Sequence, residues 1–532
     1  MAKTGVFIWS TTSSSILAAR RASLMGIDAT VVGAWPRFGE MFATGLSQTD
    51  REVISGSANY WGLQKEVYMR AGDKAGRNGA NPDLANSNRL QTIFPSVESS
   101  EAILREWLES APEATMVEGK RRGKITWRLN APLEAVTMEG NVITSVTCGG
   151  VVYEALNFLD GSDENDLAKM AGMPLRIGRE SRAVTGEKIA GATPVQSWRL
   201  VGVDPVTGNR LKGLLPRPRT AIGGADHSIM AYNTRTIITD ADDRIPFADA
   251  VIPGYDPEAY VKKQFAIAVL QNRKEIPGAF NDVLQPVKDG RNTYDMNSAG
   301  IPYGNNSVGD MFEWHNASFA RRKELYRDYI YRTAGLFKFF ASDPRVAAAL
   351  PEMVADIHRY GMVPGLWPDS PVPGWPPMMY VRESFRLEAQ VMLTEHDVYG
   401  PVRMVQHPIT TYGYHQDRHP AGQWVDSRGL YVTEGNQDLE QGVEVGLLMP
   451  WGCMKPPLGR CKNLQVLRGI GGTILGRTKM RIEITMFKMA DAAAIACATA
   501  EQAGMYSNEI DYVTQFRPAL LAAGAVLTLP GL

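Results

Sequence analysis

The stretch GVFIWSTTSSSILAARRASLMGIDATVV, residues 5–32, decides the fold. Residues 6–9 are a short apolar run, as in a buried parallel strand. A turn made only of Ser and Thr follows at 10–15, and 16–25 then predicts a helix whose small alanines allow close packing on a sheet. A glycine ends this helix before a second, β-branched strand at 30–32. The order strand, turn, helix, strand predicts an α/β fold with a doubly wound parallel sheet.

The bulk composition excludes several classes of protein. A chain of 532 residues is too long for one compact core, so two domains are expected. Its 56 basic and 57 acidic residues give a net charge of -1, which favours neither nucleic acid nor an anionic membrane as a partner. The N-terminal apolar run is too short for a secretion signal, and no segment has the length of a membrane span, so a cytoplasmic location is expected. The four cysteines lack paired spacing, and no metal site is predicted.

Further along the chain, the sequence predicts a hairpin and three helices. Residues 133–138 and 142–147 are strand-like runs separated by a glycine-containing turn. Apolar residues at helical spacing predict long helices over 318–341 and about 379–394. Near the C-terminus, a short strand and a Gly-rich turn precede a helix from about 486 to 503.

These elements divide the chain into two domains. Residues 1–185 are predicted to form the first part of the parallel-sheet domain, and 461–532 return to it. Residues 186–460, with frequent Pro and Gly between extended runs and long helices, predict a mixed α+β substrate domain.

Several blocks of sequence stand in an order that indicates a known family. They are FGEMFATGL at 38–46 with TD at 49–50, FLDGSDENDL at 158–167, AYNTR at 231–235, and WPPMMYVRES at 375–384. Together they resemble the FAD-dependent oxidoreductase family over nearly the whole chain. The resemblance implies that the doubly wound domain binds FAD and that the mixed α+β domain binds a small-molecule substrate.

The loop that grips the FAD pyrophosphate in such proteins has lost its glycines here. By the resemblance, its three glycine positions fall on Ser10, Thr12 and Ser15. Glycine permits the tight turn, lets the backbone approach the pyrophosphate, and lets helix and strand pack closely. A Ser/Thr turn either offers hydroxyl donors to a phosphate or forms an ordinary helix N-cap, and the sequence leaves both open.

The resemblance implies further cofactor positions, which are Ala34, Gly39, Glu40, Met41, Asp160, Gly161, Arg481, Glu483 and Ala490. Three of them, Ala34, Glu40 and Ala490, depart from the family's pattern. Ala34 stands where a carboxylate would bind the ribose, a loss on the order of 1.5–3 kcal/mol. Glu40 replaces a glycine and brings a carboxylate towards the phosphate. Ala490 replaces the glycine expected at the start of the C-terminal helix, near the flavin ring.

The candidate catalytic residues lie in the segment YGYHQDRH at 412–419. Asp417 and His419 match an Asp-x-His pair of the family, and His415 lies nearby. A histidine beside a carboxylate can accept a substrate proton near neutral pH. Alternatively, His419 precedes a proline and only orders its loop.

Two functions therefore remain open from the sequence. The first is flavin-linked oxidation of a small polar substrate, sugar-like or cyclic, with FAD as cofactor and a homo-oligomer as the assembly. The second is a flavin-free, non-catalytic homologue that serves as a structural or regulatory subunit in a hetero-oligomer with an active flavoprotein relative. The clustering of departures at the cofactor positions motivates the second.

Overall fold

The computed structural model describes residues 4–46, 60–74, 96–204, 206–275, 284–287, 292–296, 304–309, 311–398, 404–414, 416–435 and 446–529. The strands are β1 Thr4–Trp9, β2 Ala29–Val32, β3 Thr115–Val117, β4 Lys120–Arg122, β5 Ile125–Arg128, β6 Leu133–Glu139, β7 Val142–Cys148, β8 Val151–Asp160, β9 Leu175–Arg176, β10 Val195–Val201, β11 Thr236–Thr239, β12 Ile245–Pro246, β13 Leu284–Val287, β14 Thr293–Met296, β15 Gly361–Met362, β16 Arg386–Leu387, β17 Pro408–Tyr412, β18 Gln423–Val425, β19 Leu430–Glu434, β20 Leu447–Pro450 and β21 Leu464–Val466.

The α-helices are α1 Ser13–Leu24, α2 Glu40–Thr44, α3 Gly62–Lys74, α4 Val97–Glu109, α5 Asp166–Met170, α6 Arg182–Thr185, α7 Glu258–Tyr260, α8 Ala266–Leu270, α9 Phe319–Ser342, α10 Pro344–Ala349, α11 Pro351–Ile357, α12 Glu395–Val398, α13 Ile474–Thr478, α14 Glu483–Ala503 and α15 Arg517–Ala522. Short 3₁₀ segments lie at Phe247–Asp249, Trp314–Asn316 and Trp451–Met454, and π-helical turns at Val261–Phe265 and Tyr512–Phe516.

The main sheet confirms the predicted α/β fold. Its strand order is β5-β2-β1-β8-β7-β6, and β21 also pairs with β8. Strands β5, β2, β1, β8 and β21 run parallel. Strands β6 and β7 form the predicted hairpin, and β7 pairs antiparallel with the start of β8. Five smaller sheets, among them β12-β15-β11-β14-β13, complete the described strands.

Helix α14 is the central support of this sheet. It is buried along nearly its whole length, and its run of alanines lets α1 pack closely against it. Asp491 on α14 is fully buried and pairs through both carboxylate oxygens with Arg21 of α1. The backbone N–H of Leu63, at the start of α3, donates to the same carboxylate at 3.0 Å. One acidic side chain thus ties three helices together.

The predicted helix at 379–394 is wrong. In the structure this segment is extended and makes pairings with three separate parts of the chain. The Tyr380 N–H donates to the Asn233 carbonyl at 2.7 Å, β16 pairs with β9, and Leu393 bridges to Gly472. Backbone pairing with distant segments has overridden the local helical spacing of apolar residues. The other long helix, predicted at 318–341, is confirmed as α9.

The buried apolar residues form two large clusters. The first draws on residues 6–173 and 387–527, and the second on 200–379 with Tyr431. The domain boundaries at 185/186 and 460/461 stay predictions. The four cysteines are buried and unpaired. Within the described ranges, no helix combines the length and apolar character needed to cross a membrane.

The Asp491 junction generates a stability prediction. Replacing Asp491 with Ala leaves the Arg21 guanidinium and the Leu63 N–H without their partner inside the protein. We expect the free energy of unfolding to fall by about 3–5 kcal/mol, as when one partner of a buried ion pair is removed. Denaturant unfolding of the whole chain measures this. Glu109→Ala, which removes an exposed partner of Arg105, is the matched control and costs at most about 0.5 kcal/mol. Equal losses in both variants would contradict the prediction.

Candidate functional site

The carboxyl ends of three parallel strands meet at one edge of the main sheet. Trp9 of β1 lies in register with Asp160 of β8, which lies in register with Val466 of β21. In an open parallel sheet this edge is where ligands bind. The segments that follow these strands, Ser10–Ser15, Gly161–Asp163 and Leu467–Arg468, therefore form the candidate site.

The turn after β1 keeps a backbone geometry that glycine favours. Ser10 has φ 68°, in the left-handed region that non-glycine residues seldom adopt. Thr12 is the N-cap residue of α1: its hydroxyl accepts from the Ser15 N–H at 3.2 Å and donates to the Gly161 carbonyl at 3.0 Å. Residues Thr12 to Ser15 are fully buried. The hydroxyls of this turn thus face protein atoms.

A carboxylate of the chain itself occupies the N-terminus of α1. The Ser13 hydroxyl donates to Glu483 Oε2 at 2.7 Å, and Arg468 Nη2 binds Glu483 Oε1 at 2.7 Å. Arg468 also binds Asp163 through Nε at 2.9 Å and donates to the Ser14 hydroxyl at 3.3 Å. We call Ser13, Ser14, Asp163, Arg468 and Glu483 the cradle network. A helix N-terminus attracts an anion, and here Glu483 supplies it.

The cradle network is electrostatically strong and already rich in acids. Burial alone would lower the pKa of Arg468, but Asp163 and Glu483 raise it well above its usual value. Burial raises the pKa of Glu40 well above its usual range, and Asp163 raises it further. Burial also raises the pKa of Glu164 to about 7, against the opposing effect of Arg322. The raised pKa values favour the neutral acid forms of Glu40 and Glu164, while Asp163 and Glu483 are both paired with Arg468.

Two contacts of the turn fill the space that an approaching ligand would need. A Cβ built on Gly161 would lie 2.0 Å from Ser15 Oγ, so this hydroxyl occupies the space beside Gly161. A Cβ on Gly33 would lie 2.5 Å from Thr11 Oγ1, at the end of β2. Ala34, the predicted ribose position, is buried next to it. Side chains of residues 10–15 therefore close the surface of the turn.

The remaining predicted cofactor residues have clear structural settings. Asp160 accepts from the N–H groups of Ser162 and Ala168 at 3.0 and 2.9 Å and so orders the loop after β8. Gly39, with φ 86°, precedes α2 and donates its N–H to the Thr11 carbonyl at 2.7 Å. Met41 of α2 is buried. Their binding of a cofactor stays a prediction.

The predicted start of the C-terminal helix at Ala490 is wrong. Helix α14 begins at Glu483, and Ala490 lies about two turns inside it, within the apolar core. The residue presented at the helix start is thus acidic Glu483. The sequence reasoning also missed Arg468, whose position directly after the β21 strand end was the available signal.

A second cluster surrounds the predicted Asp417–His419 pair. His419 Nε2 lies 3.3 Å from Asp417 Oδ1, and Arg481 binds the other oxygen of Asp417. Arg481 Nη1 also donates to the Tyr380 hydroxyl at 2.8 Å. The side chains of Asp417 and His419 are 31% and 15% exposed. This cluster is therefore accessible to solvent, whereas the cradle network is buried. His415 lies outside the described residues.

The electrostatics keep His419 neutral. Burial, followed by the nearby Arg382 cation, lowers the pKa of His419 to about 4. Burial would raise the pKa of Asp417, but His419 and Arg481 hold it well below its usual value. At neutral pH the pair is thus a carboxylate beside an uncharged imidazole that can accept a proton. Its catalytic role stays a prediction. In the described part of the chain, no group of three or more His, Cys, Asp or Glu side chains is placed to hold a metal ion.

Comparisons with known proteins identify the family. The sequence model of the FAD dependent oxidoreductase family matches residues 6–520, so the chain belongs to this family, as the sequence blocks predicted. No curated protein sequence matches it. FAD is the cofactor to which the family points.

Similar solved structures are distant. They include AlpK, at 14% identity with a TM-score of 0.24 over 47% of this chain and 41% of that chain. The bacillithiol disulfide reductase Bdr (YpdA) from Staphylococcus aureus is 13% identical, with a TM-score of 0.18 over 30% of this chain and 39% of that one. The p-nitrophenol 4-monooxygenase PnpA from Pseudomonas putida DLL-E4 is 12% identical, with a TM-score of 0.23 over 34% and 46%. This chain thus spans less than half the length of each.

The residues at the cradle do not fit the pyrophosphate of FAD. A dinucleotide pyrophosphate binds at the N-terminus of the helix that follows the first strand. In this chain Glu483 and Arg468 already occupy that position, against fully buried Ser13 and Ser14. The family and the local chemistry of this chain therefore disagree.

The pKa of His419 generates a prediction with a definite sign. The unfolded chain binds a proton at this imidazole near its ordinary pKa of 6.5, whereas the folded chain binds it only near 4. The contribution of His419 to the free energy of unfolding is therefore largest above 6.5 and is lost as pH falls towards 4. We expect the His419 imidazole NMR signals, assigned with a His419→Gln variant, to stay unchanged between pH 8 and pH 5. A titration midpoint near 6.5 would contradict this.

Proposed function

We propose that this chain is a flavin-free member of the FAD dependent oxidoreductase family that acts as a structural or regulatory subunit beside an active flavoprotein relative. One observation carries the proposal: Glu483, held by Arg468, binds the Ser13 hydroxyl at the N-terminus of α1. The anion that this helix end attracts is thereby part of the chain. The fold needs no phosphate there to satisfy the first turn of α1.

Displacing the cradle network would be costly. Arg468 contacts Asp163, Glu483 and Ser14, and it is almost completely buried. An incoming pyrophosphate would have to separate Glu483 from Arg468 and leave the carboxylate without its cation. Breaking a buried ion pair in this way costs about 3–5 kcal/mol before any steric cost. The serine and threonine side chains that replace glycine add that steric cost.

A specific observation favours the second candidate, flavin-linked oxidation of a small polar substrate. The Asp417–His419 pair is accessible and neutral His419 can act as a base. The pair supports the transfer of a proton from a substrate. The cradle network gives no corresponding support for the binding of FAD. Flavin content separates the two candidates directly.

The proposal predicts that the purified chain carries no flavin. We expect a colourless protein, no flavin fluorescence in the supernatant after heat denaturation, and no bound flavin after incubation with excess FAD and gel filtration. A family member that keeps all three glycines, handled identically, is the positive control. A stoichiometric yellow complex would overturn the proposal and favour flavin-linked oxidation of a small polar substrate.

A second prediction separates the lost glycines from the cradle network. In a Ser10→Gly, Thr12→Gly, Ser15→Gly variant, Glu483 still occupies the start of α1, so we expect no gain in FAD binding by fluorescence titration. Adding Glu483→Ala removes the competing carboxylate, and any FAD affinity is expected only in this combined variant. FAD binding by the triple glycine variant alone would show that the glycines, and not Glu483, control the site.

The proposed subunit role has its own test. A homologous flavoprotein is the proposed partner, because a closed cofactor site removes the need for independent activity while the family fold is retained. Affinity purification of the tagged chain at native expression level is expected to recover a yellow homologue in a fixed ratio. Recovery of a homo-oligomer alone would contradict this part of the proposal.

A further inference from the structure

Arg477 on α13 is a buried cation that has no ion-pair partner in the described part of the chain. Only 3% of the residue is exposed, and among the described residues its guanidinium makes one hydrogen bond, from Nη1 to the Arg382 carbonyl at 3.0 Å. Its Nε has no partner, and no carboxylate lies within ion-pair distance among the residues that the structure describes. A buried charge is expensive unless it is paired, so this arrangement calls for an anion.

A second buried arginine shows how a cation is satisfied without one. Arg418 is buried to a similar extent, but its guanidinium donates to the Ile189 carbonyl at 2.9 Å and to the Gly191 carbonyl. Arg418 therefore holds two loops together as a structural residue. Arg477 has no such set of carbonyl partners.

Unpartnered polar groups also lie near residues 380–384, the segment that Arg477 contacts. The segment 380–384 is contacted by Arg477 at the Arg382 carbonyl and by Arg481 at the Tyr380 hydroxyl. Arg481 Nε is also buried without a partner. Asn233, which pairs with Tyr380 through the backbone, is fully buried, and both polar atoms of its side chain lack a partner in the described chain.

Both cations and acids lie near Arg477. Burial lowers the pKa of Arg477 to about 10, and the nearby cations Arg386 and Arg481 lower it further, against Asp163 and Glu383. Burial also lowers the pKa of Arg382 to about 10. Glu383 is already bound to Arg386 at 2.8 Å, and Asp163 to Arg468 at 2.9 Å. The two acids that raise the pKa of Arg477 are thus already paired with other arginines.

We infer that Arg477 and Arg481 bind the carboxylate of a small organic acid, with the Asn233 amide as a further polar contact and the accessible Asp417–His419 edge as the entrance. A carboxylate matches the planar donor geometry of guanidinium groups. This inference goes beyond the proposed function and does not depend on whether flavin binds.

The test measures thermal unfolding and calorimetric binding with acetate and glycolate as probes, at constant ionic strength set with sodium chloride. We expect a saturable rise in Tm with a carboxylate and none with chloride. Arg477→Met, similar in length but uncharged, should weaken binding at least tenfold. Its Tm without ligand should equal or exceed that of the wild type, because a buried unpaired charge has been removed.

The controls keep folding and binding separate. Arg418→Met removes a cation bound to two carbonyls, so it should lower Tm while the carboxylate response stays intact. Arg481→Gln should weaken carboxylate binding, as Arg477→Met does. The inference is overturned if neither carboxylate raises Tm, if chloride does so equally, or if Arg477→Met binds as tightly as the wild type. Each result is independent of flavin content, so this inference and the proposed function fail separately.

Discussion

The contact between the Glu483 carboxylate and the first residue of α1 is the constraint on which the candidate site depends. It fixes the anion at a helix end that attracts one, and it requires Arg468 to neutralise that anion in a buried place. Arg468 in turn draws Asp163 and the Ser14 hydroxyl into the same network. Since Glu483 begins α14, and α14 supports the sheet, closure of the site and support of the fold come from one helix.

The replacement of glycine by serine and threonine makes physical sense only together with this network. Ser10 still adopts φ 68°, so the turn has kept its path and bears the backbone cost of a side chain there. Thr12 and Ser15 offset part of this backbone strain energy, because they cap α1 and fill the space beside Gly161. The side chains of this turn therefore form an internal packing surface.

The sequence predicted the βαβ unit, the hairpin and α9, because apolar periodicity and turn residues are local signals. It failed at 379–394, where pairing with distant segments decides the backbone, and at Ala490, where the helix starts a full two turns earlier. At the site, the lost glycines were visible in the sequence. The partners Arg468 and Asp163 were not, since residues some 300 positions apart meet only through the parallel sheet.

The two parts of the candidate site differ in how their polar groups are satisfied. In the cradle network, groups of the chain itself satisfy the hydrogen bonds and charges. No cation of this network is left unpaired for a ligand anion. In Arg477 and Arg481, by contrast, the Nε atoms lack partners among the described residues, and the nearby edge at Asp417 and His419 is accessible. A closed cradle network beside guanidinium nitrogens without partners is what the flavin-free proposal and the carboxylate inference together expect.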